Sequence, residues 1–160
     1  MFYFFHRQVR CSLQEAKVLG ESLLHENLNF LSGVTPNDPF HQHLSRLAEN
    51  EVKAVLAGLP QDLRNKAGTL VVLLESCPDD VLIEEGLEPD LLGLFSGDSY
   101  PDGPSDAPLP PQVHLFLQNL WDYSEEDEKR FSEEVRVTYL HELGHYLGLD
   151  EDDLFHRDLA

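Results

Sequence analysis

The stretch VTYLHELGHYLGLDE, residues 137–151, carries two histidines four residues apart, His141 and His145. Residues four apart on an α-helix project from the same side one turn up, so both imidazole rings can be directed at one ion. Two histidines in this arrangement suit zinc. Glu142 lies about 100° around the helix from His141. It can therefore stay beside a metal without ligating it, where a general base for a bound water belongs.

The motif continues past the second histidine with Gly148 and then with Glu151, three residues later. The glycine supplies the left-handed conformation that ends a helix and turns the chain back, which brings Glu151 toward the histidines as a third ligand. Asp150 is placed to cap a short terminal helix instead. Glu151 has the best offset, but four other candidates for the third ligand lie in the same short segment: Asp150, Asp152, Asp153 and His156.

The same helix can also be interpreted as an ordinary buried helix, because apolar side chains cover most of its circumference between residues 137 and 147. His141, Glu142 and His145 occupy the remaining arc together with Thr138. If these residues only filled the core, three ionisable groups would be buried on one stripe of the helix. Burying ionisable groups without partners is costly in free energy. A bound cation removes that cost, so the pattern favours metal binding.

The composition suits one soluble domain, with 160 residues of which 41% are hydrophobic and 26% charged. The formal charge is −19, and 24 acidic against 6 basic residues place nearly all of it in residues 61–160. A nucleic-acid binder needs a basic surface to displace counterions, so that class of partner is excluded. An anionic membrane surface is disfavoured for the same reason.

Cysteine usage and the absence of long apolar runs bear on the location of the protein. Cys11 and Cys77 lie far apart in no metal or redox spacing, which indicates reduced thiols and a cytoplasmic protein. The first residues lack the features of a signal peptide. No apolar run approaches the roughly 20 residues that span a bilayer. We therefore expect neither a secreted nor a membrane protein.

The spacing of apolar residues predicts an α+β domain with a small sheet and one long late helix, preceded by an extra helix within residues 1–38. Ser124 is predicted to cap the late helix. The helices are expected at residues 12–31, 40–59, 79–87 and 124–148, the strands at 69–74, 91–96 and 112–117, and an irregular proline-rich loop at 97–111.

Beyond the motif, three further stretches extend a likeness to a known family: GLEPDLLGLFSG at 86–97, PQVHLFLQNL at 111–120 and VTYLHELGHYLGLDEDDL at 137–154. The chain resembles the small bacterial metallopeptidases described as minimal zincins, whose motif is H-E-x-x-H-x-x-G-x-x-D/E. The resemblance covers roughly residues 45–160. It implies a compact zincin-like α+β domain in which a small mixed sheet packs on the motif helix. The match places His141, His145 and Glu151 at the metal-ligand positions and Glu142 at the catalytic one.

The chain is accordingly expected to form a single domain over residues 1–160, with a helical extension at 1–38 and a minimal zincin-like core at 39–160. The function expected is a zinc metallopeptidase with one Zn²⁺ ion, which hydrolyses peptide bonds of a peptide or protein substrate by means of a metal-activated water and Glu142 as general base. The alternative is an acidic interaction or regulatory module whose metal site is structural or empty.

Two features of such a peptidase are left open by the sequence. Stabilising the oxyanion needs another donor, and Tyr100, His114, Tyr146 and His156 are the available types, although the first three are better explained as a loop, a strand-surface and a core residue. An extended substrate is expected along an edge strand, formed by residues 91–96 or 112–117. The loop at 97–111 is expected to form one wall of the site.

Overall fold

A computed structural model describes residues 38–103 and 110–157, which form six helices and one three-stranded sheet. The predicted helix at 12–31 lies outside the described residues. None of the described helices is both long enough and apolar enough to cross a membrane. The elements in chain order are α1 (Pro39–Gly58), α2 (Gln61–Ala67), β1 (Val71–Glu75), α3 (Asp80–Glu84), β2 (Gly93–Ser96), β3 (Gln112–Phe116), α4 (Leu117–Tyr123), α5 (Glu128–Tyr146) and α6 (Glu151–Phe155).

The sheet is mixed, with strand order β1-β3-β2. β3 runs parallel to β1, with Val71 opposite Gln112, and antiparallel to β2, with Gly93 opposite Leu115. The α+β class and the small mixed sheet are therefore confirmed. Of the two strands predicted as the substrate edge, β3 is central and has both sides paired, whereas β2 has one edge that no other described strand pairs with.

One face of the sheet is covered by the long helices α1 and α5. Val113 and Leu115 of β3 are fully buried there together with Leu44 of α1 and Tyr139 of α5. Burial of this apolar surface is the main favourable contribution to folding. α1 matches the predicted helix, and Asp38 caps it by accepting a hydrogen bond from the Phe40 N–H.

The start of the motif helix differs from the prediction. Asp127, not Ser124, caps α5, because its carboxylate accepts the Arg130 N–H. Ser124 instead donates its hydroxyl hydrogen to the Trp121 carbonyl oxygen at the end of α4. The two residues after Ser124 have positive φ angles of 57° and 61°, which no α-helix accommodates. Residues 124–127 therefore form a turn between α4 and α5. The short helices α2 and α4 are not among the helices predicted from the sequence.

Asn119 of α4 is fully buried and joins three segments of the chain. Its amide nitrogen donates to the carbonyl oxygens of Pro89 and Leu91, at 2.9 and 2.8 Å. Its side-chain oxygen accepts the Cys77 thiol at 3.7 Å. Because Leu91 directly precedes the segment leading into β2, this side chain fixes the entry of the edge strand relative to the helices.

We expect Asn119→Ala to lower the free energy of unfolding by roughly 3 kcal/mol, because the buried Leu91 carbonyl and the Pro89 carbonyl lose their donor. The adjacent Gln118, whose amide donates to the half-exposed Asp122 carboxylate, provides the matched control. Gln118→Ala should cost less than about 1 kcal/mol. Urea denaturation measures both, and equal losses in the two variants would contradict the role given to Asn119.

Candidate metal centre

His141, His145 and Glu151 are brought together at the carboxyl end of α5. The two Nε2 atoms are 2.9 Å apart, and Glu151 Oε1 lies 3.2 Å from His145 Nε2 and 3.7 Å from His141 Nε2. Ligand atoms about 2.1 Å from a tetrahedral zinc ion are separated by about 3.4 Å. The three donor atoms thus have the spacing of one face of a zinc tetrahedron. Within residues 38–103 and 110–157 this is the one cluster of three metal-ligating side chains.

The chain reaches Glu151 through a tight turn at the end of α5. Gly148 has a φ of 87°, and the Leu149 N–H donates to the Gly144 carbonyl oxygen at 2.9 Å. This pattern ends helices at a left-handed residue. Asp150 then caps α6 by accepting the Asp153 N–H at 2.9 Å, as predicted. Glu151 is consequently the first residue of α6, directly across the turn from the histidines.

Packing of α6 against α5 holds this arrangement in place. A Cβ atom at Gly144 would lie 2.4 Å from Leu154 Cδ2, so the missing side chain makes room for that leucine, which is fully buried. Gly144 sits inside a helix, where glycine costs about 1 kcal/mol relative to alanine. A glycine at this cost inside a helix is the sequence signal for a position of close approach.

His145 is oriented by a backbone group. Its Nδ1 lies 3.2 Å from the Leu149 carbonyl oxygen. Since a carbonyl can only accept, Nδ1 carries the hydrogen and the lone pair of Nε2 faces the other two ligands. Metal-ligating histidines in proteins are commonly oriented by such a hydrogen bond.

Glu142 lies beneath the ligands and is only 8% exposed. Burial raises the pKa of Glu142 to about 7; His141, a hydrogen bond from the Phe95 backbone N–H and His114 oppose the rise, and Glu151 adds to it. Strand β2 comes this close because Gly93 has no side chain: a Cβ atom there would lie 2.5 Å from Thr138 Cγ2 and 3.2 Å from Glu142 Cγ. Gly93 is a second positioning residue that the sequence analysis missed.

The remaining candidates for the third ligand have other contacts. Asp150 caps α6, and the Asp153 carboxylate pairs with Arg157 at 3.3 Å. Nδ1 of His156 lies 2.6 Å from the Asp152 carbonyl oxygen and is exposed. Asp152 is also exposed and does not join the cluster. Only Glu151 of this segment lies beside the two histidines.

His114 lies on the other face of the sheet, because side chains alternate along a strand and its neighbours Val113 and Leu115 face the core. It is half-buried, with Nδ1 2.7 Å from the Glu75 carboxylate and Nε2 3.3 Å from Ser96 Oγ. These contacts explain His114 without an oxyanion role.

Tyr146 is a core residue, as the sequence predicted. Its hydroxyl donates to the Lys66 carbonyl oxygen at 3.1 Å and lies 3.0 Å from Thr69 Oγ1. Tyr100 packs edge-on against the Tyr146 ring at 5.9 Å, and its backbone N–H donates to the Tyr146 carbonyl oxygen at 2.7 Å. The Tyr146 hydroxyl is therefore engaged by Lys66 and Thr69, and Tyr100 packs beside it at the end of α5.

The described part of the loop lies against the carboxyl end of α5. Besides Tyr100, Pro101 packs on the turn, since a Cβ atom at Gly148 would lie 2.6 Å from Pro101 Cγ. Residues 104–109 of the predicted wall lie outside the described residues.

Comparison with known proteins agrees with this geometry. A family model described as Zincin-like metallopeptidase matches residues 67–159, which is more than half of the chain and includes the whole sheet, α5 and α6. A search of curated proteins gives no match.

In the metal-free protein, the buried Glu142 carboxyl should make stability fall as the pH rises. Its pKa is about 7 in the folded protein against an ordinary value of 4.5. The folded state holds the proton more tightly between these values, so the free energy of unfolding decreases from pH 4.5 to 7 by roughly 3 kcal/mol and stays low above pH 7.

Glu142→Gln removes this titration while keeping the size of the side chain. We expect the chelator-treated variant to become more stable than the chelator-treated wild type at pH 8, and the difference to shrink at pH 5. Urea denaturation at the two pH values measures this. The same pH dependence in both proteins would contradict the burial argument.

Proposed function

This chain belongs to the zincin-like metallopeptidase family, and from that premise we propose that it is a zinc-dependent peptidase that hydrolyses peptide bonds of an extended polypeptide substrate. The observation that carries the proposal is the meeting of His141, His145 and Glu151 at the spacing of a zinc tetrahedron, with the Glu142 carboxyl buried beside them.

The donor set fits zinc, since two neutral imidazole nitrogens and one carboxylate oxygen leave a fourth position open, as catalytic zinc sites do. Zinc held by these three residues would act as a Lewis acid that polarises a substrate carbonyl and lowers the pKa of a water molecule to about 7. His145 presents its Nε2 lone pair because Nδ1 donates to the Leu149 carbonyl oxygen. Glu151 contributes the negative charge of the set.

Glu142 is the proposed general base and, later, general acid. Its carboxylate is held by the Phe95 N–H and is shielded from bulk water. It would accept a proton from the attacking water and deliver it to the leaving amine nitrogen. Proton transfer is most efficient when the pKa of the group lies near the working pH, and burial moves the pKa of Glu142 in that direction.

The open edge of β2 is the proposed site for the substrate backbone. The Phe116 N–H donates to the Leu92 carbonyl oxygen at 3.0 Å, so Leu92 faces β3 and the backbone groups of Gly93 and Phe95 point to the open side. The Phe95 N–H is donated to Glu142, which leaves the N–H and carbonyl of Gly93 and the Phe95 carbonyl oxygen for a substrate. A peptide in extended conformation can pair there as an added strand, which orients its scissile bond independently of side chains. Tyr100 would line one end of the cleft.

The proposal also covers the binding partners of the enzyme and its location in the cell. The charge of −19 argues against nucleic-acid and anionic membrane partners, which leaves a peptide or protein as the partner of this site. The spacing of Cys11 and Cys77 favours the reducing cytoplasm as its location.

Purified protein should bind one zinc ion, and His145→Ala should abolish binding because only two ligands remain. Glu151→Ala should lower the zinc affinity by about a hundredfold or more, since removing even groups that merely orient ligands costs 10 to 100-fold. Asp152→Ala, which removes the next carboxylate of α6, is the matched control and should bind zinc like wild type. Elemental analysis and competition with a chelator measure this; stoichiometric zinc in His145→Ala would refute the ligand set.

Glu142→Gln should retain zinc but lose peptide hydrolysis by about 10²- to 10⁴-fold, the contribution typical of a positioned acid or base. The assay is cleavage of a fluorogenic peptide library by zinc-loaded protein. Wild type that retains zinc and cleaves no member of the library would favour a non-catalytic interaction module instead.

A further inference from the structure

The metal ligands belong to a longer stripe on α5. Glu134 precedes His141 by seven residues, which on a helix is a rise of about 10 Å with an angular offset of about 20°. Thr138 lies between them on the same stripe. Glu134 is thus aligned with the ligands, two turns toward the amino end of α5.

Strand β2 runs alongside this stripe in the same direction as α5. Gly93 lies against Thr138 and Glu142, whereas Phe95, two residues further on, bonds to Glu142 and has its ring 5.8 Å from that of Tyr146. An extended peptide on the open edge of β2 would therefore follow the stripe. At about 3.3 Å per residue, it covers the 10 Å between His141 and Glu134 in about three residues.

The Glu134 carboxylate has no counterion among the described residues. Arg136 pairs with Glu51, Arg130 with Glu125, and Lys129 lies 4.0 Å from Glu133. Glu134 itself is half-buried, and burial together with the Glu133 carboxylate raises its pKa above the ordinary value. A carboxylate that is partly withdrawn from water and lacks a counterion is destabilised, and a cation that arrives with the substrate relieves this cost.

The net negative charge around Glu134 also favours a cationic side chain there. Residues 61–160 carry 24 acidic and 6 basic residues. All six basic side chains are already engaged, and those not named above are Arg64 with two backbone carbonyls, Lys66 with the Tyr100 ring and Arg157 with Asp153. A cationic substrate side chain at Glu134 would meet no competing positive charge from the paired groups.

We propose that Glu134 is a specificity-determining residue, which binds a lysine or arginine side chain of the substrate three to four residues from the scissile bond. The substrate class is then an extended polypeptide with a basic residue at that position. This inference rests on the proposed peptidase function, which it deepens by naming the substrate class.

The test uses peptides that differ only by lysine, norleucine or glutamate, scanned over positions two to five on each side of the bond cleaved by the zinc-loaded full chain. Lysine three to four residues from that bond, on one side, should raise kcat/KM about tenfold over norleucine, the effect of one charge-assisted hydrogen bond. In Glu134→Gln this ratio should fall to about one. Glu134→Asp, which retains the charge, should preserve part of the preference.

Glu133→Gln is the matched control, because it removes the same charge from the adjacent residue, about 100° around the helix and off the stripe. It should retain the lysine preference within about twofold. Cleavage without a charge preference, or a preference that survives in Glu134→Gln, would overturn the subsite and leave the proposed peptidase function intact.

Fluorescently labelled versions of these peptides test binding at the subsite without cleavage. Their binding to zinc-loaded Glu142→Gln is measured by fluorescence anisotropy. If wild type cleaves none of the peptides, the proposed function is refuted. Tighter binding of lysine peptides that is lost in Glu142→Gln/Glu134→Gln would still support the subsite, whereas equal binding of lysine and norleucine peptides would overturn it.

Discussion

The close contact between the edge strand β2 and the motif helix α5 is the constraint on which the site depends. At Gly93 the strand approaches so closely that a single added carbon would overlap Thr138. This approach buries Glu142 and supplies the Phe95 N–H that holds its carboxylate. Without it, Glu142 would be an ordinary solvated glutamate with neither a fixed orientation nor a raised pKa.

The same contact aligns the open edge of the sheet with the ligands. β3 is central and pairs on both sides, so of the described strands next to α5 only β2 has an edge without a paired strand. Asn119 sets where β2 begins, through its bonds to Pro89 and Leu91. A buried hydrogen-bonding side chain far from the metal ligands therefore helps to determine where a substrate backbone would lie.

Two residues after Glu142, a second glycine on α5 permits another close approach. Gly144 admits Leu154, so α6 packs directly on the motif helix and its first residue, Glu151, meets the histidines. Helix periodicity thus places His141 and His145 together, whereas the packing of α6 on α5 brings Glu151, the third candidate ligand, beside them.

Much of the fold could be predicted because helix and strand periodicities are local: α1, the three strands, the motif helix and the Asp150 cap all follow from spacing and turn residues. The short helices α2 and α4 could not, since seven residues carry too little periodic signal and tertiary contacts hold them. The cap of α5 was assigned to Ser124 because that pattern also satisfies a capping box, and only the turn between α4 and α5 selects Asp127.

The sequence by itself determined which residues can act together along one helix, because 3.6 residues per turn place His141, Glu142 and His145 on one side regardless of the rest of the chain. Only the tertiary structure decided that β2 is the strand beside them, that Gly93 and Gly144 are points of close approach, and that Glu151 rather than its acidic neighbours lies next to the two histidines. These relations join residues that are distant along the chain or separated by a turn, and their geometry depends on how the core packs rather than on any local spacing.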